Sequence, residues 1–471
     1  MTPRRGYRVE RDSMGSMEVP ERAYYAAQTA RAVENFQISG LRFGRRFIRA
    51  LGLVKRAAAE TNVELGLLDE RRGDAIVRAA QEVIDGAHDD QFVVDVFQTG
   101  SGTSTNMNAN EVIANRAAEI LGGKRGDKEL VHPNDHVNMS QSTNDTFPTA
   151  IHVAAMEGVE ETLIPALSAL AEAFETKSSE LSGVVKAART HLQDAVPITL
   201  GQEFSGYAAV VRHGIRRVEN ARRHLAELAI GGTAAGTGLN THPAYTDAIV
   251  ARLSAMTGMS FVRADNAFEA MQNRDACVET SGALKTIAVG LMKIANDLRL
   301  LASGPRTGLA EIELPSIQPG SSIMPGKVNP VIPEAVNMVC AKVIGHDAAI
   351  TVAGLNGSLD LNVMMPVIAH DLLESLEITA SASRTLADRC VRGITADAGR
   401  CRRYCELSVA LVTAIAPEIG YDTAAAAAKK ALAEDLPVRE VIRRDGLVDA
   451  GRLDELLDLE RLAAGRNVGS D

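Results

Sequence analysis

Between residues 283 and 302 apolar side chains recur at Leu284, Ile287, Ala288, Leu291, Ile294, Ala295, Leu298 and Leu301. Steps of three and four put them in one stripe along a helix. Gly304-Pro305 follows and punctuates the end. The same periodicity runs through residues 166–182, 202–229 and 367–390, none of which contains Pro. Pro165 and Pro366 stand just before two of them, where a helix start tolerates Pro. Segments this long predict a helical bundle. No strand–helix–strand alternation runs along the chain, which disfavours a doubly wound sheet. The fold class expected is all-α.

The Ala424–Ala428 run is a strong helix former, and Arg452-Leu-Asp-Glu-Leu-Leu-Asp-Leu continues a tail of shorter helices. Soft breaks near 141 and 395 divide the chain into three domains: 1–141, mixed helical; 142–395, a long-helix bundle; and 396–471, small and helical. The central helices are apolar enough to need more than one neighbour, so they are expected to pack against other subunits.

Composition sharpens this picture. Of 471 residues, 46% are apolar and 4% aromatic, with no Trp. The core is therefore built of Leu, Ile, Val, Ala and Met, which suits closely approached helices. The net charge of −10 argues against nucleic acid as a partner. The start, Met1-Thr-Pro-Arg-Arg-Gly-Tyr, has no apolar core of a signal peptide. No uninterrupted apolar run of about 18 residues occurs, so no membrane-spanning helix is expected. Cys277, Cys340, Cys390, Cys401 and Cys405 form an odd, sparse set, which reads as reduced thiols of a cytoplasmic protein. Cys401 and Cys405 lie four apart, but no second pair completes a zinc pattern.

Four polar segments interrupt the helical pattern: Thr99–Asn108, His132–Asp145, Arg189–Ala195 and Gly320–Pro330. Any one of them reads as a turn between helices. Four together exceed what a bundle needs for its connections. Their small hydroxyl and amide side chains, with free backbone N–H groups, can surround an anion. Gly320-Ser-Ser-Ile-Met-Pro-Gly-Lys-Val is not a phosphate loop: five residues separate its glycines, and Val328 follows Lys327 where Ser or Thr would hold magnesium. Gly236-Thr-Gly-Leu-Asn-Thr241 likewise lacks the third Gly of a dinucleotide motif.

Gly320-Ser-Ser-Ile-Met-Pro-Gly-Lys-Val-Asn-Pro330 resembles the signature of the fumarase/aspartase superfamily, and the other three segments resemble its further characteristic regions in the same order. The likeness runs from Asp12-Ser-Met-Gly15 to the tail. Thr190-His191-Leu-Gln-Asp-Ala195 and Thr99-Gly-Ser-Gly-Thr103 are similar to the class II fumarase branch. Thr143 departs from that branch, since Ser142-Thr-Asn-Asp145 is closer to aspartases. Aspartase, an ammonia-lyase of the same fold, therefore stays as the alternative, and a non-catalytic binding protein is the reading from a different class.

The resemblance implies a homotetramer with active sites shared between subunits and a small dicarboxylate substrate (fumarate or malate). No metal site is expected, since the sequence has no His-Glu-x-x-His and no carboxylate cluster at ligand spacing, and no organic cofactor is implied. It assigns Ser321 as the base that takes a carbon-bound proton, His191 as the group acting on water, and Glu334 as the carboxylate orienting His191. A serine alkoxide needs stabilising, which Lys327 and the loop N–H groups could supply. Imidazole titrates near neutrality and suits acid–base work. Lys327 and Asn329 would bind one carboxylate. Ser101, Gly102, Thr103, Ser142, Thr143, Asn144, Thr190, Ser322 and Val328 complete the expected substrate pocket. His132, Pro133, Asn134 and Asp135 resemble the fumarases' second, non-catalytic dicarboxylate site. Without the motif, Lys327 would read as a solvated lysine and Ser321 as a turn cap.

Overall fold

The computed structural model describes residues 4–465. Met1-Thr2-Pro3, part of the start expected to lack a signal peptide's apolar core, and residues 466–471 of the expected third domain lie outside them. The architecture is all-α, with five separate two-stranded pairs of strands among the described residues. The stripe read over 283–302 belongs to helix Asp275–Leu301, and all eight of its apolar positions are buried. Residues 166–182 fall in helix Ile164–Glu180 and 367–390 in Met365–Arg389. Pro165 and Pro366 are thus second residues of their helices, where a missing N–H costs nothing. The segment 202–229 forms helix Leu200–Leu225 and then leaves the helical path: Glu227–Leu228 pairs in parallel with Val262–Arg263.

Two corrections follow. The segment read as the loop Arg189–Ala195 is the turn and inner rungs of an antiparallel hairpin, Val185–Thr190 with Gln193–Thr199. Helix Val331–Leu355 is not among the striped segments, because apolar residues stand on all its sides and no single face is marked out. Its most apolar window has a mean hydropathy of 1.4 and is 33% buried, so by length and composition it could cross a membrane. The core helix of a folded domain passes the same test.

The chain forms two compact units. The first draws on Met1–Ile164, Arg216–Thr286 and Ala341–Thr379. Here Phe43, Phe47 and Phe147 stack with ring centroids 4.4–5.9 Å apart. Helix Ala27–Asn35 has no cap of its own. The buried Glu111 carboxylate supplies one, accepting the N–H groups of Ala26, Gln28 and Thr29.

The second unit draws on Pro165–Ile215, Ile287–Cys340 and Ala380–Asp471. Its C-terminal helices bury Leu411, Ile415, Val438, Val441, Ile442 and Leu453 against Val185 and Ala187 of the hairpin. An ion cluster anchors the base of that hairpin. Lys186 Nζ lies 2.8 Å from Glu203 and 3.3 Å from Glu311, while Arg189 reaches Glu311 at 2.8 Å. All five cysteines are free and buried, and burial pushes the Cys401 thiol up to about 12.

Candidate active site

In the first unit the Thr99–Asn108 segment is part loop and part helix. Helix Thr103–Ile120 begins inside it, so the motif presents a helix N-terminus, a natural seat for an anion. The turn before it requires glycine. Gly102 has φ +81°, and a Cβ there would lie 2.2 Å from the Phe147 ring. A Cβ on Gly100 would lie 1.8 Å from the Val363 carbonyl oxygen. The turn brings Ser101 and Thr103 together, with their hydroxyls 2.9 Å apart.

Helix Thr143–Glu157 carries the next group. Ser142 caps it, accepting the Asn144 N–H at 3.2 Å, and Asp145 accepts the Ser142 N–H at 2.9 Å. The Asn144 side chain donates to the Ala234 carbonyl at 2.9 Å. Thr143 is buried and accepts from Asn106 at 3.0 Å. Its hydroxyl is thereby tied into the protein.

The His132–Val137 stretch folds as one wide helical turn. His132 Nδ1 accepts the N–H groups of Asn134 and Asp135 at 3.2 and 3.1 Å, and Pro133 is buried at its start. Neighbouring His136 loses basicity through burial.

Beneath these segments lies a polar hub that the sequence reading missed. Lys55 Nζ, fully buried, donates to Asn138 Oδ1 and Gln141 Oε1, both at 2.9 Å. Asn106 and Asn110 donate to the same Asn138 oxygen. Desolvation lowers the Lys55 pKa to about 7 and raises that of buried Asp145 to about 6. Asn106, Asn108 and Asn110 alternate in a helix, where Asn is a poor former, and Lys55 breaks the run Leu51-Gly-Leu-Val-Lys-Arg-Ala-Ala-Ala59. Those two oddities were the available signals.

In the second unit Gly320–Pro330 closes on itself. The Gly320 N–H donates to the Lys327 carbonyl at 2.8 Å, and the Asn329 amide donates to the Gly320 carbonyl at 2.5 Å. A Cβ on Gly320 would lie 2.6 Å from both Asn329 N and Lys327 O. Inside this ring the Ser321 oxygen accepts two backbone N–H groups, from Ile323 at 3.2 Å and Met324 at 2.9 Å. Ser322, Lys327 and Val328 are exposed on the loop. Glu334 lies in the first turn of helix Val331–Leu355, which starts where the loop ends.

The hairpin of the same unit ends on a two-residue turn, His191-Leu192, with Thr190 at its last rung. Both turn residues have φ +58°, as a tight hairpin turn of this hand demands and as non-glycine residues rarely adopt. Such strain is typical of functional positions. Both are exposed, and Leu192 is 71% exposed. Among the described residues the His191 imidazole has no hydrogen-bond or ion-pair partner. The expected pair with Glu334 does not form within one chain.

The first unit carries hydroxyl and amide groups at helix N-termini, and the second carries a serine oxygen that accepts two backbone N–H groups, donors of the kind a lyase uses to stabilise developing carboxylate charge. Residues 15–345 match the family model described as lyase, and residues 411–464 match that of the fumarase C C-terminus. The chain is 54% identical over 470 residues to the class II fumarate hydratase of Mycobacterium tuberculosis, spanning 99% of this chain and 98% of that one. It is 56% identical over 454 residues to the class II fumarate hydratase of Halobacterium salinarum, spanning 96% of each. The crystal structure of class II fumarase from Schistosoma mansoni superposes with a TM-score of 0.95 at 38% identity, covering 98% of this chain and 100% of that one. The chain belongs to the class II fumarate hydratases, which are hydro-lyases.

Proposed function

We propose that this protein catalyses the reversible anti addition of water to fumarate, giving (S)-malate as in the tricarboxylic acid cycle. In the dehydration direction, from malate to fumarate, a Ser321 alkoxide takes the proton from the carbon beside one carboxylate. The electron pair moves into that carboxylate as an aci form. It then collapses into the double bond as hydroxide leaves the adjacent carbon, taking a proton from His191 to depart as water. Both protonation states are reset through solvent. The observation that carries this reading is the Ser321 oxygen accepting two backbone N–H groups. Donors aimed at that atom stabilise its anion without any reorganisation. Lys327 and the helix N-terminus at Thr103, with Ser101 and Asn144, supply the positive potential for the two carboxylates.

The protein acts, in this reading, as a homotetramer in the cytoplasm with active sites shared between subunits. Two features support the assembly. Helix Val331–Leu355 exposes Met338, Val352 and Leu355, at 69%, 55% and 84%, a face apolar enough to seek a partner. His191 sits on a strained, exposed turn without a partner among the described residues. The divisions 1–141, 142–395 and 396–471 serve as functional domains, and the His132–Asp135 turn as a second dicarboxylate site.

The test follows the ultraviolet absorbance of fumarate mixed with pure protein, with and without ammonium. Loss of absorbance in plain buffer with malate as product is expected. Loss that requires ammonium would make the protein an aspartase, and no loss in either would refute both.

A further inference from the structure

We propose that His346, Asp371 and Glu374 form a binding site for a divalent cation of the zinc class, clamping helix Val331–Leu355 to helix Met365–Arg389. Asp371 and Glu374 are three apart on the second helix and so share a face; His346 comes from the first. Ligand atoms of the three lie within 4.8 Å of one another.

The hydrogen bonds fix which imidazole nitrogen is free. Ser375 Oγ donates its one proton to the Asp371 carbonyl at 2.6 Å. It is therefore the acceptor for His346 Nδ1 at 2.9 Å. The neutral ring then carries its proton on Nδ1 and turns the Nε2 lone pair toward Glu374 Oε2 at 3.3 Å and Asp371 Oδ1 at 3.9 Å. Glu374 Oε2 is covered and has no hydrogen-bond partner, while the rest of its side chain is partly exposed. Three electron-pair donors converge with no hydrogen bond among them, an arrangement that a cation at its centre would stabilise. Bonds of about 2.0–2.2 Å to a tetrahedral zinc separate its ligands by about 3.4 Å, against 3.3 and 3.9 Å for the two distances from His346 Nε2. Nδ1 held by a hydroxyl is the outer-shell support usual for a metal-bound imidazole.

Other charges face the cluster. Lys342 Nζ lies 3.8 Å from Glu374 Oε2, and His370 Nδ1 lies 3.0 Å from Asp371 Oδ1. The rival occupant is a second proton on His346, which would make a simple ion pair. Zinc binding separates the two. Titrating zinc into chelator-treated full-length protein by calorimetry should give about one site per chain, at least about 100-fold weaker in His346→Ala and in Glu374→Gln. The control His224→Ala removes an exposed His–Glu pair elsewhere and should leave the site intact. Wild-type crystals soaked in zinc should show an anomalous peak among the three side chains, a readout that needs no variant to fold. Absence of that peak, or equal affinity in wild type and both variants, would overturn the site.

Discussion

Lys55 and Asp145 are buried together without a direct ion pair: the ammonium is held by Asn138 and Gln141, and the carboxylate by the N–H groups of Ser142, Gly231 and Thr233. Each lies under a segment of the proposed site. The Lys55 pKa falls from 10.5 to about 7, so between those values the unfolded chain binds the extra proton. Stability from Lys55 therefore rises as pH climbs through that window. Asp145 rises from 3.8 to about 6, so its contribution falls as pH climbs through that lower window. In Lys55→Met the upper rise should vanish. Melting curves from pH 7 to 9.5 should show wild type gaining on the variant, by on the order of 1 kcal/mol per pH unit. Parallel curves would mean that Lys55 is not desolvated as described.

Ser321→Ala separates a base from a turn cap. Loss of a cap costs about 1 kcal/mol of local stability and little turnover. Loss of the base should lower kcat by roughly 100- to 10,000-fold with the fold intact by circular dichroism. Near-normal turnover would remove Ser321 from the chemistry.

The hairpin tip gives a paired prediction. His191→Asn should cost about 100-fold or more in kcat. Leu192→Gly, at φ +58° and exposed, should instead raise stability by up to about 1 kcal/mol by relieving left-handed strain. A Leu192→Gly variant that melts lower would show that the leucine is held by contacts outside its own chain.

Glycines at equal φ should differ by what surrounds them. Gly102 at +81° faces the Phe147 ring, while Gly122 at +88° faces open space. Gly122→Ala should cost about 1 kcal/mol. Gly102→Ala should cost roughly 3 kcal/mol or more, and weaken substrate binding by displacing Ser101 and Thr103. Denaturant unfolding and KM report the two effects.

Met338→Glu with Val352→Glu puts charge on the exposed face of helix Val331–Leu355. Sedimentation should show smaller species than wild type, with activity lost in parallel. An unchanged particle would place the subunit contacts elsewhere.

Much of this was legible because helices advertise themselves. The stripe from Leu284 to Leu301 has one face to bury, and every member is buried. Helix Val331–Leu355 hid for the opposite reason: it is apolar on all sides, so no stripe stands out. The Val185–Thr199 hairpin hid because its strands are short and its turn uses His-Leu instead of Asn-Gly. Among the residues of the proposed site, the Ser321 loop stands out in the sequence by its motif. The Lys55–Asn138 hub was not, because it joins residues 83 apart in sequence and follows no local period.

Gly320 carries a consequence for how this gene can vary. Its missing side chain leaves room for the Lys327 carbonyl and the Asn329 N–H, both 2.6 Å from where any Cβ would stand. Every amino acid reachable from a glycine codon by a single base change brings at least that one atom. The position is therefore silent to synonymous change and closed to the rest, and the ring that aims two donors at Ser321 is inherited whole or lost.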